Sequence, residues 1–198
     1  MSFPSSQLDL GLRIRTLRKE RNLSLARLAE LTALSEATLS RIENGLSDVS
    51  VKNLYALSAT LGTRIEDFFV HSDNSGRAGL RSLTRAGLGI PFKSGSFESH
   101  LLAAELTTKK MTPFLNVTTA RSVEKAGGLN SHPGEEFLFV LDGLLQLHTA
   151  FYQPVDMAPG DSIYFDAGTP HAYVAASKKA ARFLAVTSQP ATVEEPTR

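Results

Sequence analysis

The periodicity of apolar residues changes once along this 198-residue chain, and that change sets its architecture. From residue 8 to 69 apolar residues recur at intervals of three and four, the spacing of one helix face, and strand-like alternation is absent. After about residue 90 the pattern becomes a series of short runs rich in β-branched and aromatic side chains, at 97–106, 114–119, 136–141, 144–149, 162–165, 171–175 and 182–187. Gly, Pro, Asp and Asn separate them, which predicts an all-β sandwich or barrel. The reading is therefore multidomain: helical over 8–70, a polar, glycine-bearing linker over 71–90, a β domain over 91–188, and a loose, proline-containing tail over 189–198.

In the first part, Leu10, Ile14 and Leu17 form the apolar stripe of a helix that ends near Asn22, a residue that leaves a helix cheaply. Ser24 offers an N-cap to a second helix, 25–31, with Leu28, Ala29 and Leu31 facing inward. Ser35 caps a third, 36–43, with Leu39 and Ile42 on one side and Glu36, Ala37, Thr38, Ser40 and Arg41 on the other. Ser50 opens a fourth, carrying Leu54, Leu57, Ala59 and Leu61 and closed by Gly62, and residues 65–69 supply a fifth, short helix. Two of these joined by a tight turn make a helix-turn-helix.

The string Leu17-Arg-Lys-Glu-Arg-Asn-Leu-Ser-Leu-Ala-Arg-Leu-Ala29, followed by Leu39-Ser-Arg-Ile-Glu-Asn-Gly45, resembles the five-helix, lambda-repressor-like (Xre-type) DNA-binding domain. The resemblance implies that helix 36–43 lies in the DNA major groove, with Glu36, Ala37, Thr38 and Arg41 at base edges. Arg18, Ser24, Ser40 and Asn44 are then placed for phosphates. Charge alone does not make this case, since residues 1–70 hold nine Lys and Arg against eight Asp and Glu.

In the second part the informative stretch is Gly128-Leu-Asn-Ser-His-Pro-Gly-Glu-Glu-Phe-Leu-Phe-Val-Leu-Asp-Gly143. It sets His132 before a Pro-Gly turn and Glu136 at the start of the next strand, both able to point inward. Gly160-Asp-Ser-Ile-Tyr-Phe-Asp-Ala-Gly-Thr-Pro-His171 ends on another strand-borne histidine. The chain has no cysteine, so any metal must sit on nitrogen and oxygen ligands. His100 and His148 read as structural histidines and His71 as a solvated one.

These two stretches resemble the two motifs of the cupin family, which implies a jelly-roll barrel with a pocket inside. Two departures stand out: Asn130 where the first motif has its first His, and Asp166 where the second has Pro. The ligands that the resemblance leaves are His132, Glu136 and His171, a two-His, one-carboxylate set suited to Fe and also acceptable to Zn, Mn or Ni. Asn130, Phe139, Tyr164 and Tyr173 are the candidate contacts to a small molecule, and Phe92, Phe97, Phe114, Leu115 and Phe137 are further candidates for the pocket wall.

A DNA-reading head on a cupin resembles the one-component bacterial regulators. It implies a non-enzymatic, cytoplasmic homodimer that binds a double-stranded DNA operator and a small-molecule effector, and no membrane, in line with the short polar start and the lack of a run of about 20 apolar residues. The same layout resembles the hydroxypropylphosphonate epoxidases, mononuclear non-haem iron enzymes, in Asn130-Ser-His132, in Pro170-His-Ala-Tyr173 and in Thr108-Lys-Lys110. That family implies tyrosines near 99–102 and a lysine near Asn22 to hold the phosphonate, and this chain has neither. Lys93, Lys109 and Lys110 could supply charge, but no tyrosine stands near them to share in holding a phosphonate.

Overall fold

A computed structural model describes residues 7–69, 79, 81–106 and 109–188; residues 71–78 and 80 of the expected linker and the whole tail lie outside them. The first domain contains α1 (Gln7–Glu20), α2 (Leu25–Thr32), α3 (Glu36–Glu43) and α4 (Val51–Leu61). The boundaries follow side-chain chemistry. Ser24, Ser35 and Ser50 each accept a hydrogen bond from the backbone N–H three residues on, as N-caps do. Asn22 and Gly62 close α1 and α4 in the left-handed region.

The expected fifth helix is instead a single 3-10 turn, Ile65–Phe68, so the described residues hold four α-helices. The Asp67 carboxylate accepts from the Thr63 hydroxyl at 2.7 Å and the Arg64 amide at 2.9 Å, closing the segment on itself too tightly to propagate. Leu28, Ala29, Leu39, Ile42, Leu54, Leu57 and Leu61 are buried as expected, whereas Leu31 and Ala59 face solvent.

Close contact of α1 with α3 depends on Gly11. A Cβ there would stand 2.2 Å from the Ile42 carbonyl oxygen and 2.8 Å from that of Glu43. Glycine to alanine inside a helix ordinarily stabilises by about 0.5–1 kcal/mol. Here Gly11→Ala is expected to destabilise by about 1–3 kcal/mol, because the clash is with backbone. Urea unfolding measures it, and a gain in stability would contradict the packing.

The second domain contains β1 (Ile90–Ser94), β2 (Phe97–Leu101), β3 (Met111–Thr118), β4 (Glu135–Asp142), β5 (Leu145–Thr149), β6 (Val155–Met157), β7 (Ser162–Asp166), β8 (His171–Ala175) and β9 (Ala181–Ser188). They form an antiparallel six-stranded sheet, β1-β2-β3-β9-β4-β7, and a three-stranded sheet, β6-β5-β8. Their inner faces share one buried cluster, including Leu138, Val140 and Phe183 from the first and Leu145, Leu147 and Met157 from the second.

The sheets do not close into the expected barrel. The outer edge of β8 meets a loop instead of a strand, with Ala175 N–H donating to Ala120 O and Asn130 bridging to His171. The same buried cluster continues into the helical domain. There Phe69 stacks on Phe92 with ring centroids 6.1 Å apart, and Arg64 Nη1 donates to the Lys109 carbonyl at 2.7 Å.

Candidate functional site

The segment before β4 and the segment before β8 run antiparallel and staple the two histidine-bearing stretches together. Asn130 and His171 exchange backbone hydrogen bonds at 2.9 and 2.8 Å, His132 N–H donates to Ala167 O at 3.0 Å, and Ala167 N–H to Gly134 O at 3.0 Å. Gly134 has φ +96°, and a Cβ there would lie 2.5 Å from the Ser188 carbonyl oxygen, so the turn requires glycine. Glu136 follows as the second residue of β4, whose alternation buries Glu136, Leu138 and Val140 and exposes Phe137, Phe139 and Leu141.

His132, Glu136 and His171 thus meet as expected, their ligand atoms within 4.8 Å of one another. Each is oriented by neighbours. Because a carbonyl can only accept, the contact of His171 Nδ1 with Thr169 O at 2.8 Å puts the ring proton on Nδ1 and leaves Nε2 a lone pair. Burial pushes His171 below the usual imidazole value, against the pull of Glu136, so the ring is neutral near pH 7. His132 Nε2 donates to Glu136 Oε2 at 3.0 Å. The Tyr173 hydroxyl donates to Glu136 Oε1 at 2.5 Å. Burial and the adjacent Glu136 carboxylate push that phenol well above its ordinary value, so it remains a donor.

Two imidazoles and one carboxylate, with Glu136 and His171 buried and His132 half-buried, fit a divalent metal with further coordination positions left open. Glu136 and His171 border a cavity of about 310 Å³, large enough for a small ligand. Asn130 and Tyr173 line it as expected, with Phe97 and Phe114, while Phe92 and Leu115 do not. Phe139 and Tyr164 must be withdrawn as ligand contacts, and Phe137 as pocket wall. β4 turns Phe137 and Phe139 to its outer face, and Tyr164 pairs with Phe137 across the ladder and is 61% exposed.

A further tyrosine, which the sequence reading did not place at the site, comes from the helical domain. Tyr55 of α4 lines the cavity, its ring parallel to that of His132 (5°) at 4.2 Å, and its hydroxyl donates to Thr187 Oγ1 at 2.6 Å. Ser50, Ser99, Asn116 and Thr187 complete a wall of neutral hydrogen-bonding groups that sequence reasoning did not find. Among the described residues that line it there is no lysine or arginine.

On the helical domain, Glu36, Ala37 and Arg41 are exposed along α3, with Thr38 and Ser40 half-buried beside them. Arg41 Nη2 donates to Leu46 O at 3.2 Å. Ser24 and Asn44 are exposed, and the Asn44 amide donates to Ser40 O at 2.8 Å. Arg18 belongs to the core instead of the phosphate set. Its guanidinium donates to both Glu43 carboxylate oxygens at 2.6 and 2.8 Å and to the Leu23 carbonyl at 2.8 Å. The Glu43 carboxylate raises the Arg18 pKa further above its usual value.

Fold and site together define a protein with a helix-turn-helix head and a small β domain in which His132, Glu136 and His171 could hold a metal ion. Residues 14–68 match the family model described as Helix-turn-helix, and residues 122–187 the one described as Cupin domain, so the chain joins a helix-turn-helix domain to a cupin domain. Its fold is similar to that of an HTH_3 family transcriptional regulator from Vibrio cholerae, at 22% identity over 93% of this chain and 97% of that one, with a TM-score of 0.65. It is also similar to hydroxypropylphosphonic acid epoxidase from S. wedmorenis, at 21% identity over 92% and 98%, with a TM-score of 0.50. No curated protein matches the sequence. Among the described residues, no helix is long and apolar enough to cross a membrane.

Proposed function

We propose that the protein is a DNA-binding transcriptional regulator whose cupin domain senses a small molecule beside a divalent metal. The observation that carries this reading is the outer face of α3. Glu36, Ala37 and Arg41 are exposed on a helix whose opposite face, Leu39 and Ile42, is buried, so a polar surface of major-groove dimensions is presented to a partner. Thr38 joins them at base edges, and Ser24, Ser40 and Asn44 lie toward phosphates. One helix of eight residues reads few bases, so the working unit is a homodimer on a two-fold operator.

Beside the cavity, His132, Glu136 and His171 would hold Fe, Zn, Mn or Ni, which when bound supplies open coordination positions for an effector oxygen or nitrogen. The neutral wall of Asn116, Ser99, Thr187 and Asn130 orients the effector, and one that binds better in one arrangement of the dimer shifts operator affinity.

Fluorescence anisotropy on the DNA upstream of the protein's own gene, titrated with salt, tests the reading. Specific binding that falls steeply with salt is expected, and its absence at every salt concentration would refute it. Arg41→Ala should weaken operator binding by about 10- to 100-fold, the worth of one bidentate guanine contact, and leave the melting temperature unchanged. Equal affinity in the variant would remove Arg41 from the base-reading set.

A second reading, a mononuclear non-haem iron oxidase, draws support from the buried ligand triad opening into a cavity. The phosphonate substrate of the structurally similar epoxidase suits this cavity poorly. A phosphonate dianion needs cationic donors to offset its desolvation, and Lys93 and Lys110 are exposed while Lys109 Nζ donates to the Leu106 carbonyl. Oxygen uptake by the iron-loaded protein, with no specific DNA binding, would favour the enzyme.

A further inference from the structure

The wall of the metal cavity is not built by the cupin domain alone. Tyr55 is the fifth residue of α4, and Ser50, the N-cap of the same helix, also lines the cavity. α4 follows the α3 recognition helix after the short segment 44–50, and both pack into one buried cluster. A helix of the DNA-binding head therefore touches the metal site directly, by a route that does not pass through residues 71–90.

The contact falls on a ligand. The Tyr55 ring lies flat on His132, 4.2 Å away and within 5° of parallel, and its hydroxyl is tied to Thr187 on β9 at 2.6 Å. Tyr55 is 7% exposed, so its ring cannot shift without disturbing α4 or the strand that holds it. His132 now spends Nε2 on Glu136, while the three ligand atoms are spread over distances of up to 4.8 Å. Donors on one ion at about 2.1 Å must lie within about 4.2 Å of one another in any geometry. A ligating Nε2 carries no proton, so binding an ion replaces the His132–Glu136 hydrogen bond with bonds from both residues to one centre and holds the imidazole more firmly.

We propose that Tyr55 is a positioning residue that couples occupancy of the His132–Glu136–His171 site to the stability of α4 in the DNA-binding head. The proposal rests on the metal-site reading above, and on neither the effector nor the operator. With His132 fixed by the ion, the ring of Tyr55 gains a rigid platform and α4 opens less often. Linkage makes the coupling reciprocal: whatever DNA does to α4, it does through the same ring to metal affinity.

The test is amide hydrogen exchange of α4 in the full chain, with and without Zn(II), alongside Zn(II) binding by calorimetry. In the wild type, Zn(II) is expected to slow exchange in α4 by about tenfold, the scale of a modest coupling between sites. Tyr55→Phe keeps the ring and should keep the effect. Tyr55→Leu fills the space without a flat face and should lose it, while still binding Zn(II). If Tyr55→Leu does not fold by circular dichroism, Tyr55→Met takes its place as the variant without a flat ring. Unchanged α4 exchange with Zn(II) bound overturns the coupling and leaves the metal site standing. An equal slowing in Tyr55→Leu overturns the role of the ring. Absence of Zn(II) binding in the wild type overturns both the metal site and the coupling.

Discussion

Arg18→Ala is expected to destabilise the helical domain by about 3–5 kcal/mol, one of the largest effects of a single substitution in this chain. The Arg18 and Glu43 side chains are only 11% and 5% exposed, and they are joined through two hydrogen bonds between α1 and α3. Removing the guanidinium strands a buried carboxylate and also leaves the Leu23 carbonyl without its donor. Lysine does not substitute, because one ammonium cannot reproduce the planar two-bond fork. The cost comes from the abandoned charge, so Arg18→Met combined with Glu43→Leu should recover most of the stability. Chemical unfolding of the two variants separates this from a DNA role. An Arg18→Ala protein with an unchanged unfolding midpoint and weaker DNA binding would return Arg18 to the phosphate contacts.

The error over Arg18 shows where a single sequence stops being informative. Local chemistry was legible: Ser24, Ser35 and Ser50 cap their helices because the hydroxyl and the amide it satisfies are three residues apart. The partner of Arg18 lies 25 residues away, and among Arg13, Arg15, Lys19 and Arg21 nothing in the pattern marks it as the buried one. Tyr55 was hidden for the same reason. On a helix with Leu54 and Leu57 it reads as core, and its partner Thr187 is 132 residues on. The meeting of His132, Glu136 and His171 was legible because they sit in compact motifs. Phe139 and Tyr164 were avoidable errors. Once Glu136 faces inward, a period of two sends Phe137 and Phe139 outward, and the β4–β7 register takes Tyr164 with them. β1 and β6 escaped notice, the first because Pro91 interrupts it and the second because it spans three residues.

The largest expected effect at the site itself is the loss of metal affinity in Glu136→Gln. Glutamine keeps the shape, and its amide oxygen can still accept from the Tyr173 hydroxyl, so the fold should survive with little change in melting temperature. What is lost is the one negative charge in the ligand set, since the two remaining ligands are the neutral-capable imidazoles of His132 and His171. Removing a supporting partner costs about 10- to 100-fold in metal affinity, so removing the ligand itself should cost more than about 100-fold. Tyr173→Phe supplies the internal comparison. It leaves all three ligands and deletes only the phenol that orients Glu136 Oε1, and should fall in that 10- to 100-fold range. Zn(II) titration by calorimetry, with elemental analysis of the protein as purified, ranks wild type, Tyr173→Phe and Glu136→Gln in that order of decreasing affinity. Stoichiometric metal retained by both Glu136→Gln and His132→Ala would place the ion elsewhere, and the cavity beside Tyr55 would then bind its ligand without a metal.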